Sequence, residues 1–97
     1  MKGGWVYLLA DRYRGTLYTG VTADIARRTF QHRAGSGSHF SRKYGLQRLV
    51  YAEFHDTIDD AIAREKAIKK WRRAWKIDLI EQANPEWNDL FDHVLMA

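Results

Sequence analysis

Two tyrosines, Tyr7 and Tyr18, each lie in a short strand-like run, Trp5-Val6-Tyr7 and Tyr18-Thr19-Gly20, with Gly15-Thr16 between the runs. A hairpin turning at Gly15-Thr16 sets the two phenols near one another. Arg28 and His32 follow four residues apart, so on a helix they share a face. Glu65 stands within Ile58, Ala61, Ile62, Glu65 and Ile68. That spacing is one helical face, and at position 65 the pattern asks for Leu or Ile. Two phenols, a guanidinium, an imidazole and a carboxylate are a set suited to metal-assisted phosphodiester cleavage. The guanidinium can stabilise extra negative charge on phosphorus. The imidazole can shuttle a proton or hold a water. The carboxylate can hold a metal at the edge of the core, since a buried carboxylate needs a partner or a cation.

A plainer reading stands beside each of these. Glu65 can be half of a structural ion pair with a nearby arginine, Arg28 being one candidate. Arg28 and His32 can simply share the surface of a helix. Spacing alone leaves both alternatives open.

Periodicity supplies the elements that must position these side chains. Residues 5–10 read as a strand, with Trp5, Tyr7 and Leu9 on one face and Val6, Leu8 and Ala10 on the other. Residues 16–21 read as its hairpin partner. Thr22 is expected to cap a helix over 23–33, with Asp24 in its first turn. Gly35-Ser36-Gly37-Ser38 ends that helix and opens a loop to about residue 44. Residues 46–54, rich in Leu, Val, Tyr and Phe, form a third strand. Thr57 and Asp60 resemble a capping box for a second helix reaching residue 70. More helix follows through Trp75 and Leu79. Asn84-Pro85 breaks it, and residues 86–90 add a final turn. Asn84 before Pro85 also fits a helix N-cap with proline at the first helical position. Trp71 and Trp75 read as core or helix-packing residues rather than base-stacking platforms. The expectation is an α/β (α+β) fold in one domain over residues 1–97. Its centre is a small three-stranded antiparallel sheet flanked by helices.

Composition narrows the function classes. The chain has no cysteine, which excludes disulfides and thiolate zinc sites. Asp11, Arg12 and Arg14 argue against a secretory signal. No apolar run approaches the roughly 20 residues of a membrane span. A soluble, cytoplasmic protein with no membrane partner is expected. Net charge is +4, and residues 64–76 hold seven basic side chains against the single acid Glu65. Residues 77–97 hold five acids and no Lys or Arg. Charge gathered in this way suits a polyanion, although a solvated helix face gives the same pattern. His39 and His55 have no role that the sequence assigns.

The ordered set Trp5-Val6-Tyr7, Tyr18-Thr19-Gly20, Arg28, His32 and Glu65 resembles the GIY-YIG nuclease superfamily. It looks most like the small single-domain bacterial branch called UPF0213. Further matching stretches are Arg27-Arg28, His32-Arg33-Ala34-Gly35, Ala63-Arg64-Glu65-Lys66 and Asn84-Pro85-Glu86-Trp87. Trp5-Val6 replaces Gly-Ile of the first motif and Thr19 replaces Ile of the second, at packing positions. The resemblance implies a divalent-metal-dependent endonuclease acting on DNA with low sequence specificity, in repair or recombination. It implies Tyr7, Tyr18, Arg28, His32, Glu65 and Asn84 as the catalytic set. Glu65 would be the only protein ligand to Mg²⁺ or Mn²⁺, Arg28 would stabilise the transition state, and one of the tyrosines would activate water. Gly20 would let backbone approach closely where strand meets helix. Arg27, Arg33, Arg42, Lys43, Lys69 and Lys70 are the candidates for DNA phosphate contacts, and a partner protein would supply specificity. The alternative is a nucleic-acid-binding or repair accessory module with this fold and little catalysis.

Overall fold

The computed structural model describes residues 3–35 and 43–95. Strand β1 (Gly4–Ala10) is central, flanked by β2 (Leu17–Thr22) and β3 (Arg48–His55), both antiparallel to it. Helix α1 (Ile25–Arg33) follows β2. Three more helices follow β3: α2 (Ile58–Lys69), α3 (Arg73–Ala83) and α4 (Phe91–Leu95). The α+β fold around a three-stranded antiparallel sheet is therefore the one expected. Among the described residues, no helix is long and apolar enough to cross a membrane.

A central strand covered on both faces should be apolar at every position, and β1 is. Tyr7 and Leu9 pack on one face with Ile25 of α1, Leu49 of β3 and Val94 of α4. Leu8 and Ala10 pack on the other with Val50, Ile80 of α3 and Trp87. Val6 joins that second face through Ala61 and Ile68 of α2. Three layers result, with α1 and α4 on one side of the sheet and α2 and α3 on the other.

Local chemistry sets the element ends. In the hairpin turn, the Asp11 side chain accepts from the Thr16 amide (2.8 Å) and the Gly15 amide donates to the Arg12 carbonyl (3.0 Å). Helix α1 starts later than expected. Asp24, not Thr22, is the N-cap, its carboxylate accepting from the Arg27 amide at 3.1 Å. The Thr22 hydroxyl instead accepts from the Asp24 amide at 3.1 Å, shaping the turn that leads in. Two polar residues compete for the cap here, and the one nearer the first apolar residue holds it. Thr57 does cap α2, accepting from the Asp60 amide at 3.1 Å. The long second helix breaks at Lys70–Arg72, so α2 and α3 are separate.

One irregularity in the sheet matters for the site. Leu8 pairs with Tyr51 and Leu9 with Leu49, so Val50 is an extra residue in β3. Such a bulge leaves a backbone group without a ladder partner. The Asn84 side-chain amide meets the need, donating to the Val50 carbonyl at 3.0 Å. It also donates to the Asn88 carbonyl at 2.8 Å, while its oxygen accepts from the Asn88 amide at 3.0 Å. Asn84 is thus the C-cap of α3, buried and tied to backbone. The expected N-cap followed by Pro85 does not form, because the next helix begins only at Phe91.

Candidate active site

Tyr7 and Tyr18 project from the same face of the hairpin, since Tyr7 pairs with Gly20 and Leu9 with Tyr18. Their ring centres lie 6.3 Å apart. His32, on the last turn of α1, completes a triangle at 5.9 Å from Tyr7 and 5.6 Å from Tyr18. The Tyr7 hydroxyl and His32 Nε2 are 3.2 Å apart, and Tyr7 also shares a side-chain hydrogen bond with Tyr18. Gly20 makes this packing possible. A Cβ there would sit 2.5 Å from Cζ and the hydroxyl of Tyr7 and 3.0 Å from Cε2 of Tyr18. The glycine therefore admits the Tyr7 ring across β2, rather than a close approach of strand to helix.

The environment distinguishes the two phenols. Tyr7 is 1% exposed. Burial first, and then the charge of Tyr18, push its phenol well above the usual range. It holds its proton and acts as a donor. His32 is 3% exposed and pushed below its ordinary value, first by burial and then by the Arg28 guanidinium. A neutral imidazole has one N–H, so Nε2 accepts from the Tyr7 hydroxyl in one tautomer and donates to it in the other. Tyr18, at the rim, is only half-buried. Arg28, one turn before His32 and half-buried, bears electrostatically on both Tyr7 and His32.

Glu65 arrives from the other layer. It is 7% exposed and shares a buried face of α2 with Ala61 and Ile68, as its place in the apolar stripe requires. Its carboxylate is the weakest of the charges acting on Tyr7. Its ion-pair partner is Lys69, one turn on, with Nζ 2.6 Å from Oε2. The expected pairing with an arginine such as Arg28 is thus replaced by an i, i+4 lysine. That spacing was visible in the sequence. Lys69 is half-exposed, so the cation is held at the surface and the carboxylate inside.

The candidate phosphate contacts divide. Arg27, Lys43 and Lys70 are exposed. Arg33 pairs with Asp89 and stacks 4.3 Å over the Phe91 ring, and Lys69 serves Glu65. Arg42 and His39 lie outside the described residues. Within the basic run, Arg64 is bound to Glu53 at 2.8 Å, and Arg73 donates to the hairpin carbonyls of Arg14 (2.5 Å) and Gly15 (2.7 Å). Lys66, Lys70 and Arg72 remain exposed in that run. Sequence reasoning gave His55 no role, but it binds Glu53 at 2.6 Å, beside Tyr51 and Arg64. Burial alone would raise the Glu53 carboxyl, but hydrogen bonds from Arg64, Tyr51 and His55 outweigh it and hold the group below its usual value.

Comparison with known proteins fits this geometry. The family model described as the GIY-YIG catalytic domain matches residues 3–78, a span that contains every member of the ring cluster and Glu65 but not Asn84. A UPF0213 protein of Syntrophus aciditrophicus is 38% identical over 87 residues, covering 89% of this chain and 98% of that protein. A UPF0213 protein of Haloquadratum walsbyi is 40% identical over 67 residues, 69% of this chain and 75% of its own length. The solution structure of the UPF0213 protein BH0048 from Bacillus halodurans superposes with a TM-score of 0.56 at 29% identity, over 90% of this chain and 92% of that one.

Proposed function

The chain belongs to the GIY-YIG catalytic domain family, a family of nucleases, and on that premise we propose that it is a divalent-metal-dependent endonuclease. Its reaction would be hydrolysis of phosphodiester bonds in DNA with low sequence specificity. The observation that carries this reading is a carboxylate buried in an apolar stripe and paired with a half-exposed lysine. An apolar residue would fill that stripe without the desolvation cost that a carboxylate carries there.

Among the described residues, no group of three or more His, Asp or Glu side chains gathers to form a cage for a metal. A single carboxylate suits Mg²⁺ or Mn²⁺ held mainly by water and substrate phosphate. Glu65 is the residue that would hold it. When bound, such a cation supplies positive charge to the leaving and non-bridging oxygens. Arg28 adds fixed charge from α1 to the pentavalent phosphorus. Tyr7 keeps its proton and, with neutral His32, fixes Tyr18 by hydrogen bonding. Tyr18, the more exposed phenol, meets the attacking water. Tyr7 is therefore a positioning residue, and Tyr18 the better candidate for the group that touches water. Asn84 supports the site only by holding the bulge next to β1. Low intrinsic specificity leaves a repair or recombination setting, and a partner protein, to select the substrate.

One observation favours the second reading. The Lys69–Glu65 pair is what a binding module without metal would display, and such a module would bind nucleic acid with little catalysis. Nicking of supercoiled plasmid with Mg²⁺, Mn²⁺ or EDTA separates the two. Wild type should nick only with metal, and folded Glu65→Gln and Arg28→Ala should lose about 10²-fold or more. Binding without cleavage in either metal would leave the module reading standing.

A further inference from the structure

Trp71 and Trp75 do not bury as a packing pair. Trp71, in the turn between α2 and α3, lies against the cluster of Val6, Ala61 and Ile68. Trp75, in the first turn of α3, is 51% exposed. The indoles meet at 77° with centres 6.1 Å apart, forming an open corner. Trp75, Asp78, Leu79 and Gln82 follow one stripe of α3, and with Trp71 they line a groove of about 400 Å³. That volume lies at the lower end of ligand-sized pockets. Each indole carries a guanidinium over one face, Arg64 at 5.2 Å from the Trp71 ring centre and Arg72 at 5.1 Å from the Trp75 ring centre, which leaves the opposite face of the exposed Trp75 for a stacked base. Glu53 fixes Arg64 in place, whereas Arg72 is exposed beside Lys70.

We propose that this corner docks an unpaired nucleobase of single-stranded DNA, with the adjoining phosphates on the exposed basic side chains of residues 66–72. The proposal rests on the reading of the chain as a DNA nuclease and names the form of strand it engages.

Charge selects this occupant. The surrounding run is strongly basic, so a second copy of the chain would bring like charge against like. Asp78 lies inside the groove, so phosphate, an acidic peptide or an anionic lipid head group meets repulsion there. A neutral base does not, and its N–H edge can donate to that carboxylate. Its flat face stacks on an indole while its backbone runs outside over Arg72 and Lys70. Stacking on exposed aromatics within a basic groove is the general chemistry of single-strand binding. Paired bases in a duplex offer no face to the corner.

The test is fluorescence anisotropy of a labelled single-stranded oligonucleotide of mixed sequence and of a blunt-ended duplex, at low salt in EDTA so that neither is cut. Trp75→Ala should weaken single-strand binding about tenfold, consistent with the cost of removing one stacking aromatic. Trp75→Phe should retain most of the affinity, and duplex binding should be unchanged in both variants. Thermal melts confirm folding, which an exposed side chain permits. Unaltered single-strand affinity in Trp75→Ala overturns the proposal and leaves the nuclease reading intact. Equal losses on both DNAs also overturn it, because they describe a phosphate site. Tighter binding of the matching RNA, with the same dependence on Trp75, overturns the commitment to DNA. Wild type that binds neither DNA also overturns this proposal, and plasmid nicking with Mg²⁺ then decides the nuclease reading separately.

Discussion

Gly20→Ala tests the geometry of the ring cluster directly. In a strand, Ala is ordinarily preferred to Gly by about 0.5–1 kcal/mol, so propensity alone predicts a more stable protein. The structure predicts the opposite. The new Cβ would lie 2.5 Å from two atoms of Tyr7 and 3.0 Å from Tyr18. Carbon atoms prefer separations of about 3.5–4.0 Å, so a ring must move by about 1 Å. Tyr7 is fully enclosed and bonded to His32, and overpacking of that kind costs about 1–3 kcal/mol. Allowing for the propensity gain, a net loss of up to roughly 2.5 kcal/mol remains. In a domain of this size each kcal/mol lowers Tm by about 4–8 °C. Activity should fall further, since a misplacement of about 1 Å at a reacting centre can cost about 10²-fold. The assay is a thermal melt with plasmid nicking per folded molecule, repeated in a Tyr7→Leu background. With no ring at position 7, the alanine should become neutral or mildly stabilising, giving a coupling of about 1–3 kcal/mol. Gly20→Ala melting at or above wild type, or a coupling near zero, would refute the account.

Three other outcomes follow from the same contacts. His32 is held below its ordinary value of 6.5, so near that pH the unfolded chain binds more protons than the folded one. Stability should be full above about pH 6.5 and decline as pH falls toward the depressed folded value, and His32→Gln should flatten that part of a melt-versus-pH curve. Lys69→Ala should lower stability in EDTA by about 1–3 kcal/mol, because Glu65 loses its cation, with the low end favoured by the exposure of Lys69. Added Mg²⁺ should then raise Tm more in this variant than in wild type, and an absent metal response would count against Glu65 as ligand. Asn84→Ala strips three hydrogen bonds from the bulge and its neighbour, costing roughly 2–4 kcal/mol. Nicking per folded molecule, measured well below Tm, should stay near wild type, whereas a large loss would restore Asn84 to the catalytic set.

The sequence exposed what depends on local pattern. The apolar run of β1, the Thr57 cap and the stripe through Glu65 all depend on short-range spacing, and they sit where the periodicity put them. It failed where two local signals competed or where a distant partner decided. Thr22 and Asp24 both suit a cap, and the choice rests on where the first buried residue, Ile25, must point. Asn84 before Pro85 satisfies a capping rule, but the unpaired carbonyl of Val50 claims it across 34 residues. The Val50 bulge has no glycine to announce it. The basic run read as one patch, yet Glu53, Glu65 and the hairpin turn each claim a member of it.

Burial also explains why the two tyrosines are not equivalent, which their motifs do not show. Both phenols follow the same small-sheet geometry, but Tyr7 sits on the central strand and Tyr18 on an edge strand. A central strand is covered on both faces, so the Tyr7 ring belongs both to the core and to the ring cluster with Tyr18 and His32. Its hydroxyl must bond internally, and the burial that stabilises the fold also denies the group a role as base. The edge position leaves Tyr18 partly open to water at no comparable cost. Removing the Tyr7 hydroxyl should therefore disturb stability and orientation together. Tyr18→Phe should leave the melt nearly unchanged and strike the chemistry. A Tyr18→Phe variant that unfolds more readily than Tyr7→Phe would reverse this assignment.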